Sequence, residues 1–172
     1  GLLSGELLYF TRLYHTGNFQ WRHFIWQRSA LGLHRFANEF LTIDGERGLR
    51  GFRPDGPLTG TSRVTLNYEA TMYTPLSFLG FRMAVVGFAD VAWLNATKPD
   101  RLLPFFEKPY TGLGLGLRFR NEYTAIRTIQ LTLGFYPRGL NAPNGLRIFE
   151  NSRPYYDFSD FSFGQPGVTR FQ

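Results

Sequence analysis

Cysteine is absent from the 172 residues, so the chain has no disulfide framework and no thiolate to ligate a metal or attack a substrate. Charge is sparse as well: Asp, Glu, Lys and Arg make up 19% of the chain, against about a quarter in ordinary globular domains. Lysine is nearly missing, with only Lys98 and Lys108, so the net charge of +6 is carried by arginine. The arginines are scattered from Arg12 to Arg170 without a dense run, which argues against the electrostatic footprint of a nucleic-acid binder. No apolar run approaches the roughly 20 residues of a spanning helix; the most apolar stretch, 83–94, is short and interrupted by Asp90. His15, His23 and His34 show no metal-ligand spacing and read as interfacial or lumenal polar residues, and no serine occupies a Gly-x-Ser-x-Gly turn. The run Gly112-Leu113-Gly114-Leu115-Gly116 superficially suggests a phosphate loop, but it alternates like a strand face and opens no helix. No catalytic group, cofactor or metal is expected.

What the chain has is aromatic residues and glycine. Phe (18), Tyr (9) and Trp (3) bring the aromatics to 17%, and there are 19 glycines. Such a composition excludes disorder, because there is ample apolar surface to bury. Yet the mean hydropathy is only -0.22, and the dilution has a pattern. Over residues 63–72, Val64, Leu66, Tyr68, Ala70 and Met72 alternate without error against Arg63, Thr65, Asn67, Glu69 and Thr71. The same period of two recurs where Leu113, Leu115, Leu117 and Phe119 oppose Gly114, Gly116, Arg118 and Arg120, and where Ile129, Leu131, Leu133 and Phe135 oppose Gln130, Thr132, Gly134 and Tyr136. Helical periodicity cannot imitate this. Seven strands are predicted, over 6–15, 20–36, 63–72, 81–93, 112–120, 129–136 and 157–165.

The predicted connections alternate in length. Turns fall at Thr16-Gly17-Asn18, at Thr74-Pro75-Leu76-Ser77 and around 121–125, and long loops at 37–60, 95–109 and 139–156. Short turns at one end and long loops at the other describe an all-β, antiparallel up-and-down barrel of the transmembrane type. Three features favour a lipid-facing barrel over a soluble sandwich. The strands approach the roughly 9–11 residues of a tilted spanning strand. Tyr73, Phe78, Phe81, Trp93, Tyr110, Phe119, Tyr123 and Phe135 fall near strand ends, where an aromatic girdle would sit. Arg63, Asn67, Glu69, Arg82, Asp90, Arg118 and Arg120 would line a wet, charge-compensated interior. In hydrocarbon every backbone N–H and C=O needs an internal partner, so a β structure must close. Seven strands leave two edges, so the chain is expected to be the C-terminal part of a larger barrel or a small eight-stranded one; the absent initial Met favours the former.

The loop over 37–60 carries the one distinctive motif. It holds five glycines between Gly45 and Gly60, as a mobile solvated loop would. It also holds Leu49 and Phe52, which gain nothing in water, and Arg47, Arg50 and Arg53 spaced three apart among acids, which suits packing against an oppositely charged wall. The segment Leu49-Arg50-Gly51-Phe52 resembles the (Val/Ile/Leu)-Arg-Gly-(Phe/Tyr) tetrad of the BamA-like superfamily. These outer-membrane barrels fold or translocate other proteins, and they include BamA, TamA and the two-partner secretion transporters. The resemblance continues in order over roughly 40–165. Leu66-Asn67-Tyr68-Glu69 is similar to the acidic strand after the tetrad, and Phe88-Ala89-Asp90 with Trp93 to the Phe-x-Asp strand. Residues 110–120 are similar to the glycine-alternating strand, 128–137 to the penultimate strand ending in Pro, and Phe161-Ser162-Phe163-Gly164 to the closing strand.

The resemblance implies a bacterial outer-membrane location and about seven C-terminal strands of a 16-stranded barrel spanning the whole of 1–172. It implies a loop folded back into the lumen, where Arg50 meets Asp90 as first partner or Glu69 as second. The implied activity is non-enzymatic insertion or translocation. The implied partners are the lipid bilayer, the remaining barrel strands, POTRA-type periplasmic domains and client outer-membrane or secreted proteins. Two other functions stay open: the anchor or secretion pore of a patatin- or phosphatase-linked relative, and a small structural barrel. For Asp90 the alternative is that it merely balances Arg82.

Overall fold

The computed structural model describes residues 1–32, 40–43, 45, 48–54, 56, 58–95, 104–121, 128–138 and 145–150. Their strands are β1 (Leu2–Phe10), β2 (Tyr14–Thr16), β3 (Phe19–Gly32), β4 (Leu41–Thr42), β5 (Thr59–Gly60), β6 (Ser62–Phe78), β7 (Phe81–Leu94), β8 (Tyr110–Asn121), β9 (Thr128–Phe135) and β10 (Leu146–Glu150), with one 3-10 turn at Pro104–Phe106. The main sheet runs β1-β3-β6-β7-β8-β9-β10, with β2 beside β3, and β4 pairs β5 in a small ribbon. Every pairing is antiparallel. The chain is therefore an all-β meander in sequence order. Among the described residues the sheet is open, with β1 and β10 as its edges. No described helix is long and apolar enough to cross a membrane, which says nothing of strands.

The alternation seen in the sequence governs the two faces. Directly opposed residues of an antiparallel pair share a face. One row of the sheet therefore reads Trp26, Asn67, Asp90 and Gly112, and the next reads Phe24, Glu69, Phe88, Gly114, Gly134 and Arg147. This face is the buried one: Glu69 is 1% exposed and Asp90 0%, with Thr65, Asn67, Thr71 and Thr132 also buried. The opposite face carries the aliphatic rows and is bare, with Leu115 67% and Ile148 78% exposed. The buried face is mixed, with Phe24, Val86, Phe88 and Leu94 on it beside the acids, whereas the bare face is largely aliphatic, unlike a soluble sheet that turns its apolar face inward.

Three sequence expectations change. The strand predicted over 6–15 is two pieces, because the chain breaks pairing at 11–13, where the Thr11 N–H donates to the His23 carbonyl (3.0 Å) and its Oγ1 accepts from the His23 N–H (3.1 Å). The turn predicted at 74–77 is part of β6, marked by a register shift between Tyr73 and Ser77. Pro75 has no N–H for the ladder, and Thr74 Oγ1 fills the gap by donating to the Met83 carbonyl (2.9 Å) and accepting from the Leu76 N–H (3.3 Å). The reversal comes later, at Leu79 and Gly80, both with positive φ (49° and 80°), as a tight hairpin turn requires. Finally, β10 lies inside a segment read as a connection. Its apolar residues fall on both faces, Leu146 and Ile148 against Phe149, so no alternation betrays it. The predicted strand at 157–165 and the turn at 121–125 (beyond Asn121) lie outside the described residues, as does the end of the strand predicted over 20–36.

The described turns still segregate. Gly17-Asn18 and Leu79-Gly80 close one end of the sheet, and the long segments after β3, β7 and β9 leave from the other. At that second end sits the buried apolar cluster of Ile43, Leu49, Phe52, Ala92, Leu94 and Tyr136, with Leu58, Tyr110 and Phe149 packed against it. The core is a loop pressed onto a sheet.

Candidate functional site

The tip of the loop, residues 48–52, is a tight turn lying on the buried face. The Phe52 N–H donates to the Leu49 carbonyl (3.1 Å), and Gly51 takes a φ of +66°. This turn drives Leu49 and Phe52 into the apolar cluster, where they are 0% and 1% exposed. Phe52 stacks obliquely on Tyr110 and Tyr136, at centroid distances of 6.0 and 5.8 Å. The two apolar residues anchor the turn; Arg50 between them is presented to the wall.

Arg50 is 2% exposed and is held at four points. Its Nη1 donates to Glu69 Oε2 (2.6 Å), and its Nη2 donates to the Tyr68 carbonyl (3.0 Å) and pairs with Asp90 Oδ1 (3.2 Å). Its own backbone N–H donates to Asp90 Oδ2 (2.8 Å). The guanidinium lies over the Phe88 ring, 5.1 Å from the centroid. The carboxylates are themselves supported. Glu69 Oε1 accepts from Arg118 Nη2 (2.8 Å) and Thr71 Oγ1 (2.9 Å), and Arg118 Nε donates to Gln130 (2.8 Å). Asn67 donates from Nδ2 to the Gly48 carbonyl (2.9 Å). Two guanidiniums face two carboxylates, so the site is electrically balanced without solvent. A buried pair of this kind adds little net stability over an apolar packing, but losing one partner strands the other's charge and is strongly destabilising.

A second wall holds the same turn by its backbone. The Tyr136 hydroxyl donates to the Arg50 carbonyl, and Arg147 Nη1 donates to the Gly51 carbonyl. The Phe149 ring lies so close to Gly51 that a Cβ there would collide with it.

The residues singled out in the sequence thus come together. Leu49, Arg50, Gly51 and Phe52 form the turn, and both Asp90 and Glu69 meet Arg50, the shorter side-chain contact going to Glu69. The alternative pairing of Asp90 with Arg82 fails on distance. Eight residues of one strand separate them, about 26 Å at the usual rise. Sequence reasoning missed Tyr136, Arg147 and Phe149 as holders of the turn. Tyr136 did leave a signal, as an aromatic ending the polar row of Gln130, Thr132 and Gly134; Arg147 and Phe149 left none. Of the histidines, His23 Nδ1 pairs with Tyr68 Oη (2.8 Å), His15 is exposed, and His34 lies outside the described residues. Among the described residues no group of three or more His, Asp or Glu could hold a metal ion.

No protein-family model, curated protein or solved structure matches the chain.

Proposed function

We propose that the chain is the C-terminal portion of a transmembrane β-barrel of the bacterial outer membrane that inserts or translocates other proteins, with the Leu49-Arg50-Gly51-Phe52 turn docked on the inner wall. The observation that carries this reading is the bare aliphatic face behind a face that buries paired charges. Glu69 and Asp90 are sealed under Arg50 on one face, while Leu113, Leu115, Leu131, Leu133 and Ile148 stand bare on the other. A row of exposed leucines is costly in water and at home among acyl chains. Among the described residues the sheet is open at β1 and β10, which fits the same reading, since in hydrocarbon each edge would need a strand to pair with it. The chain's role is mechanical, not enzymatic: the charged turn is a latch between a long loop and the wall of a wet interior, and client polypeptides and periplasmic domains are its partners. The test is Arg50→Ala in the whole protein. Client assembly or secretion should fall and the loop should become cleavable by protease, with strand content by circular dichroism unchanged. Normal function with an unchanged cleavage pattern would overturn the docked-latch reading.

A further inference from the structure

The bare face is largely aliphatic, but a line of polar groups crosses it from the break at 11–13, over β2 and β3, to β6. The Arg12 guanidinium lies over the Tyr14 ring, 5.4 Å from its centroid, and the Tyr14 and His23 rings are 6.4 Å apart. The His23 and Tyr68 rings are stacked at 6.0 Å, 13° from parallel, and His23 Nδ1 pairs with Tyr68 Oη at 2.8 Å. All stand on the bare face, because Tyr14 is opposite Trp21, Trp21 opposite Met72, and His23 opposite Ala70. Arg12 is exposed, and among the described residues it makes no ion pair or hydrogen bond. The Tyr14 hydroxyl likewise has no hydrogen-bond partner among them. When Tyr68 Oη donates to Nδ1, the Nε2–H of His23 is left to donate elsewhere. Tyr14 and Trp21 stand within three residues of the Gly17-Asn18 turn, as interfacial aromatics do.

The line ends at an apolar hollow on the same face. Tyr68 belongs to both: with Ala70, Gly87, Ala89, Leu115 and Phe135 it lines a depression of about 490 Å³. The hollow exists because the row from His23 runs through Ala70 and Gly87 before it rises again at Leu115, and Ala89 stands between Tyr68 and Leu113. Gly87 lies two strand spacings from His23, about 10 Å. These strands all lie within the described residues. The chemistry therefore changes in a fixed order along one face: a free cation, then hydroxyl and imidazole donors, then an apolar trough. A phospholipid has the same order: phosphate, ester oxygens, acyl chain. We infer that this strip of the bare face binds one anionic phospholipid. Arg12 takes the headgroup phosphate through charge-assisted hydrogen bonds, Tyr14 and His23 donate to the glycerol and ester oxygens, and the hollow takes the start of an acyl chain. The long arginine stem lets the cation stay at the interface while the rings lie against the sheet. The inference rests on the reading of the chain as a bilayer-embedded sheet.

The experiment has two arms. Flotation of the full chain with phosphatidylcholine vesicles at high salt tests the embedding. A chain that stays with the soluble fraction removes that reading and the lipid site with it. Native mass spectrometry of the full chain in detergent micelles, titrated with phosphatidylglycerol or phosphatidylcholine, tests the strip. Phosphatidylglycerol should bind more tightly, and R12Q should raise its dissociation constant about fivefold and erase the preference. R12K should keep most of the preference, and R82Q, which removes the same charge from the opposite face, should leave it unchanged. G87V tests the trough. A Cβ at Gly87 meets Leu115 Cδ2 at 3.5 Å, an ordinary contact, so the valine fills the hollow without breaking the strand, and circular dichroism should show unchanged strand content. It should weaken both lipids about threefold with the preference kept. Equal binding of the two lipids by the parent, an undiminished preference in R12Q, or undiminished affinity in G87V overturns the site while leaving the embedding intact. If inorganic phosphate at matched ionic strength binds as tightly as phosphatidylglycerol, and binds G87V equally, the occupant is free phosphate and the lipid assignment is wrong.

Discussion

The turn at 48–52 is gripped by two walls of different chemistry. On the side of β6 and β7 the grip is ionic and goes mostly to a side chain: Arg50 between Glu69 and Asp90, with Asn67 on the Gly48 carbonyl. On the side of β10 and the end of β9 the grip is neutral at the acceptor and goes to the backbone: Tyr136 on the Arg50 carbonyl and Arg147 on the Gly51 carbonyl, with Phe149 against Gly51. The first wall specifies which residue must sit at the tip, since only a long planar cation reaches both acids. The second wall specifies what shape the tip must have, since any residue has a carbonyl but only a turn of this form presents two of them outward. Identity and shape are enforced from opposite sides.

The largest effect should come from breaking the ionic wall. Among the described residues, Arg50→Ala leaves Glu69 with Arg118 alone and Asp90 with no paired cation, and should weaken docking by about 3–5 kcal/mol. Hydrogen exchange of the residue-50 and Phe52 amides, both bonded in the docked turn, would measure it; exchange as slow as in the parent would mean the acids do not hold the loop. Gly51→Ala attacks the shape. It combines a positive φ with a collision on Phe149, and should cost about 2–4 kcal/mol by the same measurement, with Phe149→Ala recovering part of the loss. Tyr136→Phe removes one hydroxyl and should cost about 1–3 kcal/mol, because it leaves a buried carbonyl without its donor. Arg147→Gln, on a half-exposed strand, should cost about 0.5–1.5 kcal/mol. A double-mutant cycle sharpens the contrast. Arg50→Ala and Glu69→Gln should couple strongly, whereas Glu69→Gln and Arg147→Gln should add, because they share no partner.

The legible part of this molecule is the part ruled by alternation. Five of the seven predicted strands overlap observed ones, because β6, β8 and β9 separate polar from aliphatic residues without ambiguity. The ionic wall was legible for the same reason: Glu69 and Asp90 stand on polar rows, and Leu49 and Phe52 are anomalous in a glycine-rich loop. The backbone wall was not, because a carbonyl acceptor leaves no trace in the sequence of the residue that offers it. β10 was hidden by being five residues long with apolar groups on both sides. The bulge at Tyr73–Ser77 was hidden because Thr74-Pro75 has the composition of a turn, and only the pairing on either side shows that β6 continues. Fold and ionic contact are written in side-chain chemistry; the precise hold on the turn is written in main-chain geometry.

On the buried face β8 presents Gly112, Gly114 and Gly116 in succession, with Gly134 beside them on β9. A Cβ at Gly112 would stand 2.7 Å from the Tyr136 ring, and one at Gly114 would strike the ring of Phe88. The bare backbone is the bed on which those rings lie, and through them the turn. It also means that this stretch of the sheet has no side chains of its own to swing inward. Should the turn lift away, the vacated volume has nothing from β8 to fill it, and water takes the place of Leu49 and Phe52. Undocking would therefore leave a standing gap beside a smooth strip of main chain, instead of a collapsed and resealed wall.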